Sequence, residues 1–392
     1  LVTIAPPPAP PTDQYSDVQA TDQKYEIENY SIIPSIWPRQ WLPALLVYNN
    51  GYFIGGQVLG FDAVDRHRYV LGIGYDSFAH APNILAAYSN RSLGPDLSAS
   101  VESYTADIST INGNVESYSR KVRYAADARL PINWTFSSLT PIVSLFEERT
   151  FYKVPGANPS DHDTVAKSYW VPYVDTRLVF QEAYRSHLAI TNEKGRQTEI
   201  GGRYYFNSGQ TFVKSYVSDT EYLRTDFLLE HSVLVPALNY SWVNRSVGSG
   251  YMDTNVTVEG RQSGRFFNTL PENSLDQLSV RGYPQQTYFS KQALQGSVDY
   301  RFPIAPIFRG WGTNPAFLEY LHGFVFGEAV WFPNGRMIKS LPAAGGGLQA
   351  DLTFFNAIPL TASTEYHKGF RESVGGTGEL FFQINLNSAI NF

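Results

Sequence analysis

The 392-residue chain contains no cysteine, which excludes disulfides, thiolate metal sites and cysteine nucleophiles. A chain without thiols suits an oxidising compartment such as the periplasm. Charge is scarce too: Asp, Glu, Lys and Arg together make up 17%, against about 25% in an ordinary soluble protein. The net charge of −6 leaves no basic stripe and argues against nucleic acid as a partner. No run of about 18 uncharged apolar residues occurs, so no membrane-spanning helix is readable. The histidines are scattered, with no HExxH or paired metal spacing, and there is no G-x-S-x-G elbow. No catalytic residue, metal ligand or cofactor is therefore assigned. The first methionine is Met252, and the start "LVTIAPPPAPPTDQ" has neither a charged nor an apolar leader region. The expectation is a processed product or an excised fragment.

Aromatic residues are plentiful, with 26 Tyr and 25 Phe, yet the mean hydropathy is −0.24. Few charges, many aromatics and no long oily run describe a transmembrane β-barrel, and equally a large secreted β-sandwich. The tail "ELFFQINLNSAINF" alternates strictly. Leu380, Phe382, Ile384, Leu386, Ile390 and Phe392 fall on one face, and Glu379, Gln383, Asn385, Asn387 and Asn391 on the other. Such a period of two means an extended strand between two different media. In "QALQGSVDYRFPI", Leu294, Val298, Tyr300, Phe302 and Ile304 oppose Gln295, Ser297, Asp299 and Arg301. "KVRYAADARLPI" sets Val122, Tyr124, Leu130 and Ile132 against Arg123, Asp127 and Arg129. "GLQADLTFF" and "LTASTEYHK" repeat the separation, with Asp351, Thr361, Glu365 and His367 on polar faces. These polar faces carry more full charges than a sandwich core accepts. With lipid outside and a polar lumen inside, a one-residue slip would point Arg301 at hydrocarbon, at a cost of roughly 2–4 kcal/mol near the midplane.

Residues 1–30 read as a Pro-rich linker, 31–50 as an entry segment and 51–392 as the barrel. Pro34, Pro38 and Pro43 argue against a helix in the entry. Short links such as "YNNGYF", "FNSGQT" and "FFNAIPL" use Asn and Gly for tight hairpins. Longer polar links such as "YKVPGANPSDHDTVAKSYW" predict short turns at one end and long loops at the other. Asp161, His162 and Asp163 in that link make no dedicated cation site. "AAGGGLQ" is no phosphate loop; it opens a strand whose glycines allow a bend or a close neighbouring backbone. Trp170, Tyr173, Tyr204, Tyr205, Trp331 and Phe332 stand as candidate girdle aromatics.

"LDQLSVRGYPQQTYF" carries Val280, Arg281, Gly282 and Tyr283. This tetrapeptide resembles the Val-Arg-Gly-aromatic motif of the BamA-like outer-membrane assembly factors and two-partner secretion transporters. There it sits on a long extracellular loop folded back into the lumen, with five strands following. Five strand patterns follow here, at about 292–304, 319–332, 346–355, 358–368 and 377–392. The resemblance implies an all-β, antiparallel transmembrane barrel of 16 strands, eleven of them between about Tyr52 and Phe267. It also implies that Arg281 is held by lumen carboxylates. "FVFGEAVWF" is similar to the family's acidic strand pattern, but Phe326 takes the acidic position and Glu328 follows two residues later. Glu328, Asp351 or both are the expected partners. Phe392 resembles the terminal aromatic that the insertion machinery recognises. The function implied is insertion, translocation or anchoring of a protein partner, without catalysis, in the outer membrane of a Gram-negative bacterium. The expected partners are outer-membrane lipid and a periplasmic or surface protein, or an N-terminal domain missing from this chain. "YSIIPSIWPRQWLP" resembles, more loosely, the entry of barrels behind TolB-like propellers. The competing readings are an open porin-like channel and a soluble β-rich adhesin or binding domain.

Overall fold

The computed structural model describes residues 36–386, apart from the links at 49–50, 78–79, 112–113, 155–163, 187–188, 208–209, 245–255, 260–276, 284–286, 311, 313–314, 334–338 and 355–357. Strands β1 (Pro38–Tyr48), β2 (Gly51–Phe61), β3 (His67–Asp76), β4 (Ala81–Asn90), β5 (Asp96–Ile111) and β6 (Asn114–Arg129) come first. A two-residue piece, β7 (Ile132–Asn133), extends the hairpin into β8 (Ser138–Val154). Then follow β9 (Thr164–Tyr184), β10 (Lys194–Asn207), β11 (Gln210–Arg224) and β12 (Val233–Val243). A long link carries the short strands β13 (Val256–Glu259), β14 (Gln277–Ser279) and β15 (Thr287–Ser290). The chain ends on β16 (Gln292–Gly310), β17 (Ala316–Trp331), β18 (Ser340–Phe354), β19 (Ile358–Gly369) and β20 (Gly378–Leu386).

Apart from β7 and the three link strands, these are sixteen long strands, five of them after the link. Each pairs antiparallel with the next, and β12 pairs with β16 across the link. Among the described residues, β1 and β20 are not paired with each other. The first strand starts at Pro38, inside the stretch expected to be an entry segment. Pro38 fits because it opens the strand, where the missing N–H costs least.

The two faces are inverted relative to a soluble protein. Glu102, Arg123, Asp127, Glu148, Asp175, Arg177 and Arg203 are buried, whereas Ile73, Leu145, Ile200, Leu238, Val325, Leu348 and Phe382 are exposed. Tyr124 of β6, Leu130 just after it and Ile132 of β7 face outward, and the hairpin end adds exposed Trp134 and Phe136. A sheet with its charges inside must curl around them.

Two expectations need correction. The short links at 49–50 and 208–209 join strands at the same end of the meander as the long β12–β16 link, so short and long links are not segregated by end. Links at the opposite end, such as 130–137 and 185–193, are of middling length because they carry structure of their own. Among the girdle candidates, Trp170, Tyr204 and Trp331 are exposed outside, but Tyr173, Tyr205 and Phe332 are buried. Strand parity turns Tyr173 and Tyr205 to the inner side, and Phe332, just past β17, packs against the link strands. The stretch 161–163 and Phe392 lie outside the described residues.

Candidate functional site

Within the long link, β13 pairs parallel with β14 and antiparallel with β15. This small sheet has an apolar side of Val256, Val258, Leu278, Val280, Tyr283 and Tyr288. It packs on Val330, Phe332, Leu341 and Ala343 of the β17–β18 hairpin. Gln295 of β16 donates from Nε2 to the Ser279 carbonyl at 2.6 Å, which ties β14 to the wall just before the tetrapeptide.

The tetrapeptide then splits its roles. Val280 joins the apolar core. Arg281 donates its backbone N–H to Glu328 Oε1 at 2.7 Å. Its Nη2 donates to Glu328 Oε2 at 3.1 Å and to Asp299 Oδ1 at 3.2 Å. Gly282 has φ +76°, a left-handed conformation, and a Cβ there would come within 2.4 Å of the Gly369 nitrogen on β19. Only glycine meets both demands. Tyr283 donates its hydroxyl to the Pro342 carbonyl at 2.8 Å. Burial pushes that hydroxyl above the ordinary tyrosine value, so it stays protonated as a donor.

The wall is organised by strand period and register. Phe324, Phe326, Glu328 and Val330 alternate inward on β17, all buried. Register sets Asp299 of β16 opposite Phe326 and Ser297 opposite Glu328. Asp299 and Glu328 therefore sit two residues apart along neighbouring strands, the spacing one guanidinium fork can bridge. The Phe326 ring lies under Arg281, 3.3 Å from centroid to guanidinium carbon. It adds a cation–π contact to the two carboxylates. Gly345 on β18 makes room: a Cβ there would stand 2.8 Å from that ring and 2.1 Å from the Tyr366 carbonyl. This is the close approach expected of the glycine run.

Asp351, the other expected partner, is elsewhere. It accepts from Thr361 Oγ1 at 3.0 Å and pairs with His322 Nε2 at 3.1 Å. Asp299 takes the place expected of it; its position on the polar face of β16 was readable, but its register against β17 was not. Arg301 also reaches Asp299, at 3.4 Å. Below this cluster a cavity of about 570 Å³ is lined by Arg281, Asp299, Arg301, His322, Asp351 and residues of the β9–β10 link. Among the described residues no group of three or more His, Cys, Asp or Glu side chains is placed to hold a metal.

No protein-family model and no curated protein sequence matches the chain. Among solved structures, CdiB from Acinetobacter baumannii superposes with a TM-score of 0.56 at 14% identity, covering 88% of this chain and 59% of CdiB. BamA from Haemophilus ducreyi lacking POTRA domains 1-3 superposes with a TM-score of 0.50 at 13% identity, covering 88% of this chain and 68% of that one. This is the fold of BamA- and CdiB-type outer-membrane barrels. The chain is accordingly a transmembrane antiparallel β-barrel, and it spans about three-fifths of the length of CdiB. At these identities the likeness carries the fold and leaves the partner to other arguments.

Proposed function

We propose that this chain is an outer-membrane barrel of a Gram-negative bacterium that assists insertion, translocation or anchoring of a protein partner. In this reading the β12–β16 link fills the lumen and Arg281 is its latch. The observation that carries it is the three-way hold on Arg281, by Glu328, Asp299 and the Phe326 ring. A solvated loop tip has no use for a left-handed glycine jammed against β19 or for two inner-wall carboxylates aimed at one arginine. The barrel fold shared with BamA and CdiB supports a protein partner rather than a small solute, and no catalytic arrangement enters the reading. The lipid of the outer membrane is the other partner, met by the exposed apolar face.

Planar-bilayer recording tests the proposal. A latched link gives low, flickering conductance, and Arg281→Ala raises it severalfold. Large, stable conductance in the unaltered protein would favour the open porin-like channel instead. Solubility without detergent, with no heat-modifiable gel mobility, would favour the soluble binding domain.

A further inference from the structure

The β9–β10 link lies at the end of the barrel opposite Arg281's own link, yet it lines the same cavity. Arg185, Ile190 and Thr191 share that cavity with Arg301 of β16, His322 of β17 and Gln349 and Asp351 of β18. From β10 to β18 the wall runs through β11, β12, β16 and β17. At about 4.8 Å per strand this is roughly 24 Å along the sheet. A turn lying in the wall cannot span that distance, so this one leaves the wall and crosses inward. Burial agrees: Ala189 and Ile190 are buried although they stand at a strand end. Arg301 donates from Nη1 to Thr191 Oγ1 at 3.5 Å.

The crossing is held in two ways. Internally, Arg185 donates from Nε to the Ala189 carbonyl at 3.1 Å, and the Ala189 N–H donates to the Ser186 carbonyl. Externally, Glu193, only 1% exposed, pairs with His231 Nδ1 of the neighbouring β11–β12 link at 2.6 Å. His231 is itself fixed, with φ +60° and its N–H donating to Asp226 Oδ1 at 3.1 Å. His231 is thus held on its own link, and the carboxylate–imidazole contact joins that link to the crossing segment.

We infer that residues 185–186 and 189–193 form a strap that narrows the lumen at the end opposite the Arg281 link, and that the Glu193–His231 contact is the pin releasing it. The barrel then has two closures in series with a polar chamber between them. The inference rests on the reading of the lumen as a partner's route, but the strap's position does not depend on the Arg281 link.

The absence of cysteine makes the test clean. Spin labels are placed on Thr191→Cys and Gln349→Cys in reconstituted protein, and the distance between them is measured by electron paramagnetic resonance. A single short distance is expected, and a second, longer population appears when the pin is removed by Glu193→Gln. His231→Ala serves as an independent removal if the first variant folds poorly. A long distance in the unaltered background overturns the inward strap, and an unchanged short distance in both pin variants overturns the release. Conductance of Arg281→Ala with and without Glu193→Gln separates the two closures. A rise with Arg281→Ala alone that the second change does not increase leaves the latch standing and removes the strap. No rise with Arg281→Ala, either alone or with Glu193→Gln, together with a second distance in the pin variants, does the reverse.

Discussion

The inner wall formed by β5 to β11 and the one formed by β16 to β18 handle buried charge differently. In the first, charges pair from strand to strand. Arg123 meets Glu148 at 2.7 Å, and Asp175 is shared by Arg177 at 3.1 Å and Arg203 at 2.7 Å. Above these pairs the rings of Phe146, Tyr173, Tyr205 and Phe212 stack at centroid spacings of 4.7, 4.9 and 4.3 Å. In the second wall, Glu328 and Asp299 are completed by a side chain from the link. The first wall pairs its charges between its own strands; the second also takes an arginine from the link. Charge placement in a lumen thus distinguishes scaffold from docking face.

Asp175→Ala should cause the largest loss, because it removes the carboxylate that two buried arginines share, at roughly 3–5 kcal/mol. The midpoint of heat-induced gel shift should fall sharply or the folded band disappear. Survival of that band at its usual temperature would mean the first wall is not self-contained. Arg281→Ala should cost less, about 1–3 kcal/mol, since the backbone N–H still reaches Glu328 and Arg301 still reaches Asp299. Its signature is raised conductance with the barrel band retained. Gly282→Ala introduces strain of about 1–3 kcal/mol and should expose the link to protease while leaving the Asp175 wall untouched. Tyr283→Phe removes one hydrogen bond, at about 1 kcal/mol, and should shift the protease pattern only slightly.

The smallest effect expected is on pH dependence at the strap. Burial pushes the Glu193 carboxyl up, but hydrogen bonds from His231 and Ser186 and the charge of Arg224 outweigh it and hold the group below its ordinary value. A carboxylate so depressed adds stability above its unfolded-state pKa and loses it as pH falls through the folded one. Conductance should therefore rise on acidification below the ordinary carboxylate range, and Glu193→Gln should abolish that step.

The period-two pattern made the faces legible, because lipid and lumen select opposite residues at alternate positions. It placed Asp299 and Arg301 on the polar side of β16 and Tyr124 on the apolar side of β6. Glu328 was legible as lumen-facing by strand period alone. Asp299 as its companion was not, since the offset between neighbouring strands depends on turn geometry that a single strand's pattern does not contain. For the same reason Asp351 was misplaced: it lies next to His322 across β17 and β18 and away from Arg281. Tyr173 and Tyr205 were misread because an aromatic near a strand end looks alike whether it faces headgroups or stacks inside. The strap left no periodic trace, as turns carry none.

The hairpin between β6 and β8 has a mechanical consequence. Its outward apolar row runs from Val122 past the end of β6 to Trp134, and ends in a Phe136 that is 81% exposed. On β19 the outward row likewise runs past the strand end, to an exposed Phe370. An aromatic ring at the end of an apolar row favours the headgroup level, so such rows resist sliding of the barrel along the membrane normal.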